Sequence, residues 1–233
     1  RTITLTPSAT PSQDGWNFVG NAYPSNIDWV SAAALNPDIT GAYYVFNTTG
    51  EYTGNWGTCN AGGVCSGLGG ISQHIASGQG FFVKATGNGN FVLDNTVRTA
   101  TAANYYKAGV QANEIRLSLH DQTNSDEIVA YTDAAATWSE DNGLDAVKIA
   151  AGSTVYMSYK QLGKEYAINV IDEITETTEL PLVIWAQDSG SYTLEATELN
   201  VSGYTTYLKD AVANTLTNLD SNTVSLLLNG QEV

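Results

Sequence analysis

Apolar side chains recur at every second position in run after run of this sequence, and two residues is the period of a β-strand. Thr2-Ile-Thr-Leu-Thr6 opens the pattern, and further on Ile115, Leu117 and Leu119 alternate with Arg116, Ser118 and His120. Similar runs fall at 16–19, 42–46, 80–85 and 90–93, and then at 127–131, 146–149, 155–159, 166–171, 182–186, 192–196, 205–209 and 223–228. Glycine, asparagine and proline separate them, as turn residues should. A chain patterned this way buries its apolar groups only by pairing strands and covering one face of each sheet. Helical periodicity is nearly absent. The single helical turn we expect covers 31–35, with Ser31 as its cap and Pro37 beyond its end. The sequence therefore predicts an all-β fold of two consecutive β-sandwich modules, jelly-roll or immunoglobulin-like. Its 13 tyrosines and 5 tryptophans suit half-buried pleated surfaces.

Charge divides the chain. Residues 1–109 hold five acids and four bases, whereas residues 110–233 hold nineteen acids and five bases. The break falls near a small, polar stretch between Thr99 and Asn113, and it places the two modules at 1–109 and 110–233. A net charge of −15 repels phosphate backbones, so no nucleic-acid partner is expected. No apolar run approaches the roughly 18 residues of a membrane span, so we expect no membrane insertion. Arg1 does not open a charged-then-apolar leader, and we expect any secretion signal to lie outside this sequence.

Cys59 and Cys65 are the only cysteines. The glycines between them let a short loop curl back, so we expect a disulfide that pins a hairpin tip in an oxidising compartment. Half of a zinc site is the rival reading, but no second Cys or His pair completes it.

Little else carries reactive chemistry. His74 and His120 both fall on strand runs and read as exposed positions, which leaves a Ser-His-Asp triad without its base. There is no Gly-x-Ser-x-Gly elbow and no nucleophilic cysteine motif. A glycosidase needs only two carboxylates, yet nothing singles out a pair. Gly62, Gly67, Gly69, Gly70 and the Gly87-Asn-Gly-Asn90 run read as turns rather than phosphate cradles. We expect no enzymatic activity.

Two oxygen-rich turns remain, Asp121-Gln-Thr-Asn-Ser-Asp-Glu127 and Glu140-Asp-Asn-Gly-Leu-Asp145. Asx-turn chemistry between strands accounts for them. The alternative is calcium, held through Asp121 and Asp126 or through Asp141 and Asp145, and it is the one cofactor the sequence suggests. Aromatic residues crowd the first half. Trp16 alternates with Phe18, as a core strand would. Tyr44, Tyr52 and Trp56 adjoin glycine-rich loops, read as exposed, and are the candidate glycan-binding side chains.

Three segments of the first half carry a resemblance. They are Gly15-Trp-Asn-Phe-Val-Gly-Asn-Ala-Tyr-Pro-Ser-Asn-Ile-Asp-Trp29, Ile39-Thr-Gly-Ala-Tyr-Tyr-Val-Phe46 and Ile75-Ala-Ser-Gly-Gln-Gly-Phe-Phe-Val-Lys-Ala85. Ile115-Arg-Leu-Ser-Leu119, Ser125-Asp-Glu127, Leu144-Asp-Ala-Val-Lys148 and Tyr207-Leu-Lys-Asp210 extend it. Together they resemble a β-rich module of Bacteroidetes surface and extracellular proteins that leave by type IX secretion and carry a separate C-terminal sorting domain. The familiar form has proline where this chain has Ala22. The resemblance implies a secreted or cell-surface location, in company with adhesins, surface fibres and appendages of degradative enzymes, and it brings no catalytic residue. It also implies one more strand after 223–228, ending near an Arg-Phe pair. The sequence reaches Val233 without one, and the resemblance leads us to expect that the strand has been removed or that a neighbouring subunit supplies it.

The leading expectation is a non-catalytic extracellular module, an adhesin or a fibre subunit, partnered by copies of itself or by neighbouring surface domains. The alternative is a carbohydrate-binding module of a secreted polysaccharide-degrading enzyme, with glycans as partners. A hydrolase with an unmarked carboxylate pair is a third class. In the fibre reading Thr2-Ile-Thr-Leu-Thr6 is a donor strand, with Ile3 and Leu5 filling a neighbour's groove. The favoured reading pairs it within its own domain.

Overall fold

The computed structural model describes residues 2–6, 15–50, 53–67, 71–102, 113–220 and 223–230. Tyr52, Gly69, Gly70 and most of the stretch after Thr99 (103–112) lie outside the described residues. The fold is all-β, and its strands fall into two compact units. One draws on Arg1–Asn47, Trp56–Gly109 and Glu140–Ala146, the other on Thr48–Asn55, Val110–Ser139 and Val147–Val233. Each unit thus takes in a short segment from the other half of the sequence.

The first stretch of chain runs β1 (Thr2–Leu5), β2 (Trp16–Gly20), β3 (Asn26–Asp28), α1 (Trp29–Ala34), β4 (Ile39–Gly50), β5 (Thr53–Cys59), β6 (Cys65–Ser66), β7 (His74–Ile75), β8 (Gly80–Ala85), β9 (Gly89–Val92), a 3-10 turn (Asn95–Val97) and β10 (Arg98–Thr99). They form a five-stranded sheet in the order β2-β8-β4-β5-β6, a three-stranded sheet β10-β3-β7 and the pair β1-β9. Helix α1 starts two residues earlier than the sequence suggested. Its cap is Asp28, whose carboxylate accepts the Ser31 N–H at 3.0 Å. Ser31 is not the cap; its hydroxyl donates to the same carboxylate at 2.6 Å.

Trp29 is fully buried at the centre of this unit, edge-on to Tyr43 at 5.0 Å and to Phe81 at 5.9 Å, and stacked on Phe91 at 6.4 Å. Val19, Ile27, Ile75, Val83 and Val97 surround these rings. Burying such side chains contributes about 1.5–3 kcal/mol each. Register then decides what faces out. Val19 lies opposite Phe81 and Phe18 opposite Phe82, so Val19 and Phe81 share the core face. Phe18 is 67% exposed. The expectation that Trp16 and Phe18 face the interior is therefore corrected, because the pleat puts their face outwards. At the other side of the core, Leu5 is buried and Ile3 packs beside it, with β1 paired antiparallel to β9 from Thr2↔Val92 to Leu5↔Gly89.

The second unit contains β11 (Glu114–His120), β12 (Ser125–Thr132), β13 (Ala146–Val147, which straddles the division), β14 (Val155–Gln161), β15 (Lys164–Ile171), β16 (Leu182–Ala186), β17 (Ser189–Asn200), β18 (Tyr207–Asp210), β19 (Thr215–Asn218) and β20 (Val224–Asn229). One sheet runs β16-β14-β15-β12-β11-β17-β20, with β13 beside β15, while β18 and β19 form a separate hairpin. The pair β12–β15 is parallel. Met157 N–H on β14 donates to the Asp126 carboxylate on β12 at 2.7 Å, so the sheet turns back and brings β14 across the face of β12. Leu117, Leu119, Ile128, Ala130, Met157 and Leu194 fill the space between.

Candidate functional site

The outer face of the five-stranded sheet is aromatic. Trp16 and Phe18 on β2, Phe82 on β8, Tyr44 and Phe46 on β4, and Trp56 on β5 follow from strict alternation with the core residues Val19, Phe81, Val83 and Tyr43. Phe18 and Phe82 approach to 4.9 Å, Trp56 lies 5.5 Å from Phe82, and Phe46 lies 5.2 Å from Trp56. Trp16 meets Tyr44 edge-on at 4.9 Å, and Lys84 Nζ stands 5.9 Å over the Trp16 ring. Phe18 is the open end of this surface, and Trp16, Phe46, Trp56 and Phe82 are half-buried.

Of the three sugar-stacking candidates, Trp56 lies on this face, Tyr44 lies on it but is buried, and Tyr52 is outside the described residues. Exposure was misjudged for Tyr44. A glycine-rich neighbourhood says nothing about the indole of Trp16 that packs against the Tyr44 ring. The residues the sequence reading missed here are Phe18 and Phe82, which stand directly opposite each other in antiparallel strands, a relation that the register reveals and local alternation does not.

Cys59 and Cys65 form a disulfide between facing residues of β5 and β6. Both are buried and belong to the first core, which gives the bond a packed setting rather than an open loop tip.

The acidic turns are occupied by their own chain. Asp121 accepts from the N–H groups of Thr123 at 2.7 Å and Asn124 at 2.6 Å, and from both side chains. Burial pushes its carboxyl up, but these hydrogen bonds outweigh it and hold the carboxyl below its ordinary value. Asp126 points into the second unit and is neutralised there by Lys148. Asp145 accepts the Asp141 N–H at 2.8 Å in a turn through Gly143 that belongs to the first unit. Among the described residues, no three His, Cys, Asp or Glu side chains converge as a metal site.

His120 Nε2 lies 3.6 Å from Glu195, and His74 Nε2 lies 4.0 Å from Asp28. The Ser72 hydroxyl meets His74 through the backbone, accepting its N–H at 3.2 Å and donating to its carbonyl at 3.1 Å. Both histidines are strand residues, half-buried rather than exposed.

The second unit contains buried charge that alternation did not suggest. Arg116 donates through Nε to Glu114 Oε1 at 2.9 Å and through Nη1 to Glu127 Oε1 at 2.6 Å. Lys148 Nζ donates to Asp126 Oδ1 at 2.5 Å. Tyr156 Oη donates to Glu165 Oε2 at 2.5 Å, and the Tyr156 ring stacks on Trp185 at 5.0 Å. Burial, with the Glu165 and Asp126 charges, pushes the Tyr156 hydroxyl far above the usual phenol range.

These features define an all-β module with an aromatic outer sheet face, a buried disulfide and internal ion pairs. Residues 2–228 match the family described as a domain of unknown function, DUF8693, and the chain belongs to that family. No curated protein and no solved structure matches it. No helix among the described residues is long and apolar enough to cross a membrane.

Proposed function

We propose that this chain is a non-catalytic extracellular surface module that adheres through the aromatic face of its five-stranded sheet, with a neutral glycan as ligand. The carrying observation is the run Phe18–Phe82–Trp56–Phe46, whose rings stand 4.9–5.5 Å apart on the sheet's outer side. Exposed apolar surface of this kind is unfavourable in water and is retained where it meets a partner. The polarised C–H groups of a pyranose ring suit the negative face of an aromatic ring. The near balance of acids and bases in residues 1–109 favours a neutral sugar over an anionic one. The buried disulfide supports an oxidising, extracellular home. A glycan array probed with the chain, and repeated with Phe18→Ala and Trp56→Ala, tests this. Binding that falls at least tenfold in both variants supports it, and no binding to any neutral glycan sinks it.

A fibre subunit is the second reading, and β20 is the observation that favours it. This strand ends the sheet order, carries no charged residue, and exposes Leu227. Edge strands usually bear a lysine, a proline or a bulge that blocks further pairing.

A further inference from the structure

Lys148 and Asp126 have side chains only 2% and 3% exposed, and Nζ stands 2.5 Å from Oδ1. Burying two opposite charges costs several kcal/mol in desolvation, roughly what their attraction returns. Removing both charges would abolish that penalty, and one reaction does so without any co-reactant: amide formation between the two side chains.

The surroundings suit that reaction. Asp126 is held on three sides: Oδ2 accepts the Met157 N–H at 2.7 Å, while Oδ1 accepts the Glu127 N–H at 2.8 Å besides Lys148. Lys148 is fixed at its backbone, where its N–H donates to the Glu165 carbonyl at 2.8 Å, and at its tip, where Nζ also reaches the Glu127 carbonyl at 3.3 Å. The Tyr156 ring lies 5.8 Å from Nζ, backed by Trp185, and helps to screen the pair from water. Two reacting groups fixed at contact distance have forfeited most of the entropy that a bimolecular condensation must surrender.

We propose that Lys148 and Asp126 condense to an intramolecular isopeptide bond, making this a self-modifying cross-link site. A proton passes from the Nζ ammonium to Oδ1 and leaves a neutral amine beside a neutral carboxyl. The Nζ lone pair attacks Cγ, and charge develops on Oδ2, where the Met157 N–H already points as an oxyanion donor. The Cγ–Oδ1 bond breaks, Oδ1 leaves as water with a second proton from Nζ, and Nζ–Cγ remains as an amide. Nothing is oxidised or reduced. The bond ties β12 to the segment that follows β13, so the middle of the second unit cannot be pulled apart by unpairing strands alone.

Mass spectrometry of the intact, reduced and denatured chain decides the matter. The expected mass is lower than the sequence mass by one water molecule. Proteolysis should then release a branched peptide joining the Asp126 and Lys148 segments. Lys148→Arg, which keeps the charge but not the nucleophile, should show the full sequence mass. A wild-type chain at full sequence mass overturns the proposal. A water loss confined to a linear peptide, or one that persists in Lys148→Arg, overturns it equally, since both report a cyclic imide at an aspartate instead.

Discussion

The indole N–H of Trp29 donates to the backbone carbonyl of Gly41 across 3.1 Å inside the first core. That bond ties helix α1 to β4 at the point where the β4–β8 register shifts, between Ile39 and Tyr43. Gly41 has φ +83, and a side chain there would meet the Gly143 backbone at 2.6 Å. Gly143 comes so close because its N–H donates to the Thr40 carbonyl at 2.7 Å. Trp29→Phe retains a ring but removes the donor from a buried carbonyl, and we expect a loss of about 1–3 kcal/mol. Trp29→Ala should cost about 3–5 kcal/mol through the cavity it leaves. Urea unfolding measures both. A Phe variant as stable as the parent would show that the indole N–H contributes nothing.

Arg116 is 3% exposed and serves two carboxylates. Replacing it by methionine removes the cation that both carboxylates face in a buried site, so about 3–5 kcal/mol should be lost. Replacing Glu114 and Glu127 by glutamine as well removes the carboxylate charges and should recover part of that loss. The triple variant being less stable than Arg116→Met would mean the carboxylates are held mainly by other partners.

The strand class was legible because alternation is a local property. Leu182–Ala186 was read to the residue, and β11, β14, β15 and β17 were found within a few residues of their ends. β5 was missed for a physical reason. In Thr-Gly-Asn-Trp-Gly-Thr-Cys, one glycine interrupts each face of the alternation, Gly54 beside Trp56 and Gly57 beside Cys59, and a residue without a side chain leaves no pattern to read. β19 was missed because Thr215–Asn218 is largely exposed on both faces. The direction of the aromatic face was misread on β2, where Trp16-Asn-Phe-Val alternates equally well with Trp16 and Phe18 inside or outside. Only pairing with Phe81 and Phe82 settles it, and pairing is not local. The buried ion pairs were hidden for the same reason: Asp126 and Lys148 lie in different segments, and the sheet turning back on itself brings them together.

Alkaline pH should unfold this protein through its buried tyrosines. Burial holds the Tyr43 hydroxyl far above the ordinary phenol value, although its bond to the Ser72 carbonyl pulls the other way. Burial raises Tyr159 as well, against the opposing charge of Arg116. A group raised in the folded state contributes its full stability below the unfolded value and loses it as pH climbs towards the folded one. Stability should therefore be level up to about pH 10 and fall above it. Among the described residues the Tyr159 hydroxyl has no hydrogen-bond partner, so Tyr159→Phe should cost little and should soften the alkaline decline. Denaturant titrations at stepped pH give the slope. An unchanged slope in that variant would remove Tyr159 from the account.

Opening the disulfide should weaken the first unit without abolishing it. Cys59 and Cys65 are six residues apart, so the chain-entropy contribution is about 2 kcal/mol. A Cys59→Ala/Cys65→Ala variant should melt several degrees lower with its cooperative transition intact. Collapse to a non-cooperative chain would mean that the core around these buried sulfurs depends on the bond itself.

Edge strand β20 offers the sharpest test of assembly. It pairs with β17 from Ser189↔Asn229 to Leu194↔Val224, and among the described residues no further strand follows it in the sheet order. Leu226 and Leu228 turn towards the second core, while Leu227 is 78% exposed. An edge with a protruding leucine and no charge invites another strand. Strand β1, the alternative donor, is engaged with β9, and releasing it would expose the buried Leu5. Edge-to-edge pairing of two β20 strands therefore needs less rearrangement than donation of β1, and because it uses the same edge on both copies it closes at a dimer, whereas a fibre needs a different strand to meet β20. Light scattering on the purified chain should show a mass that rises with concentration. Leu227→Lys should return it to a single-chain mass, because the inserted charges repel across such a seam, while deletion of residues 1–6 should leave the association in place. A parent chain that stays monomeric at high concentration removes the fibre reading, and association lost on deleting residues 1–6 would restore β1 as the donor.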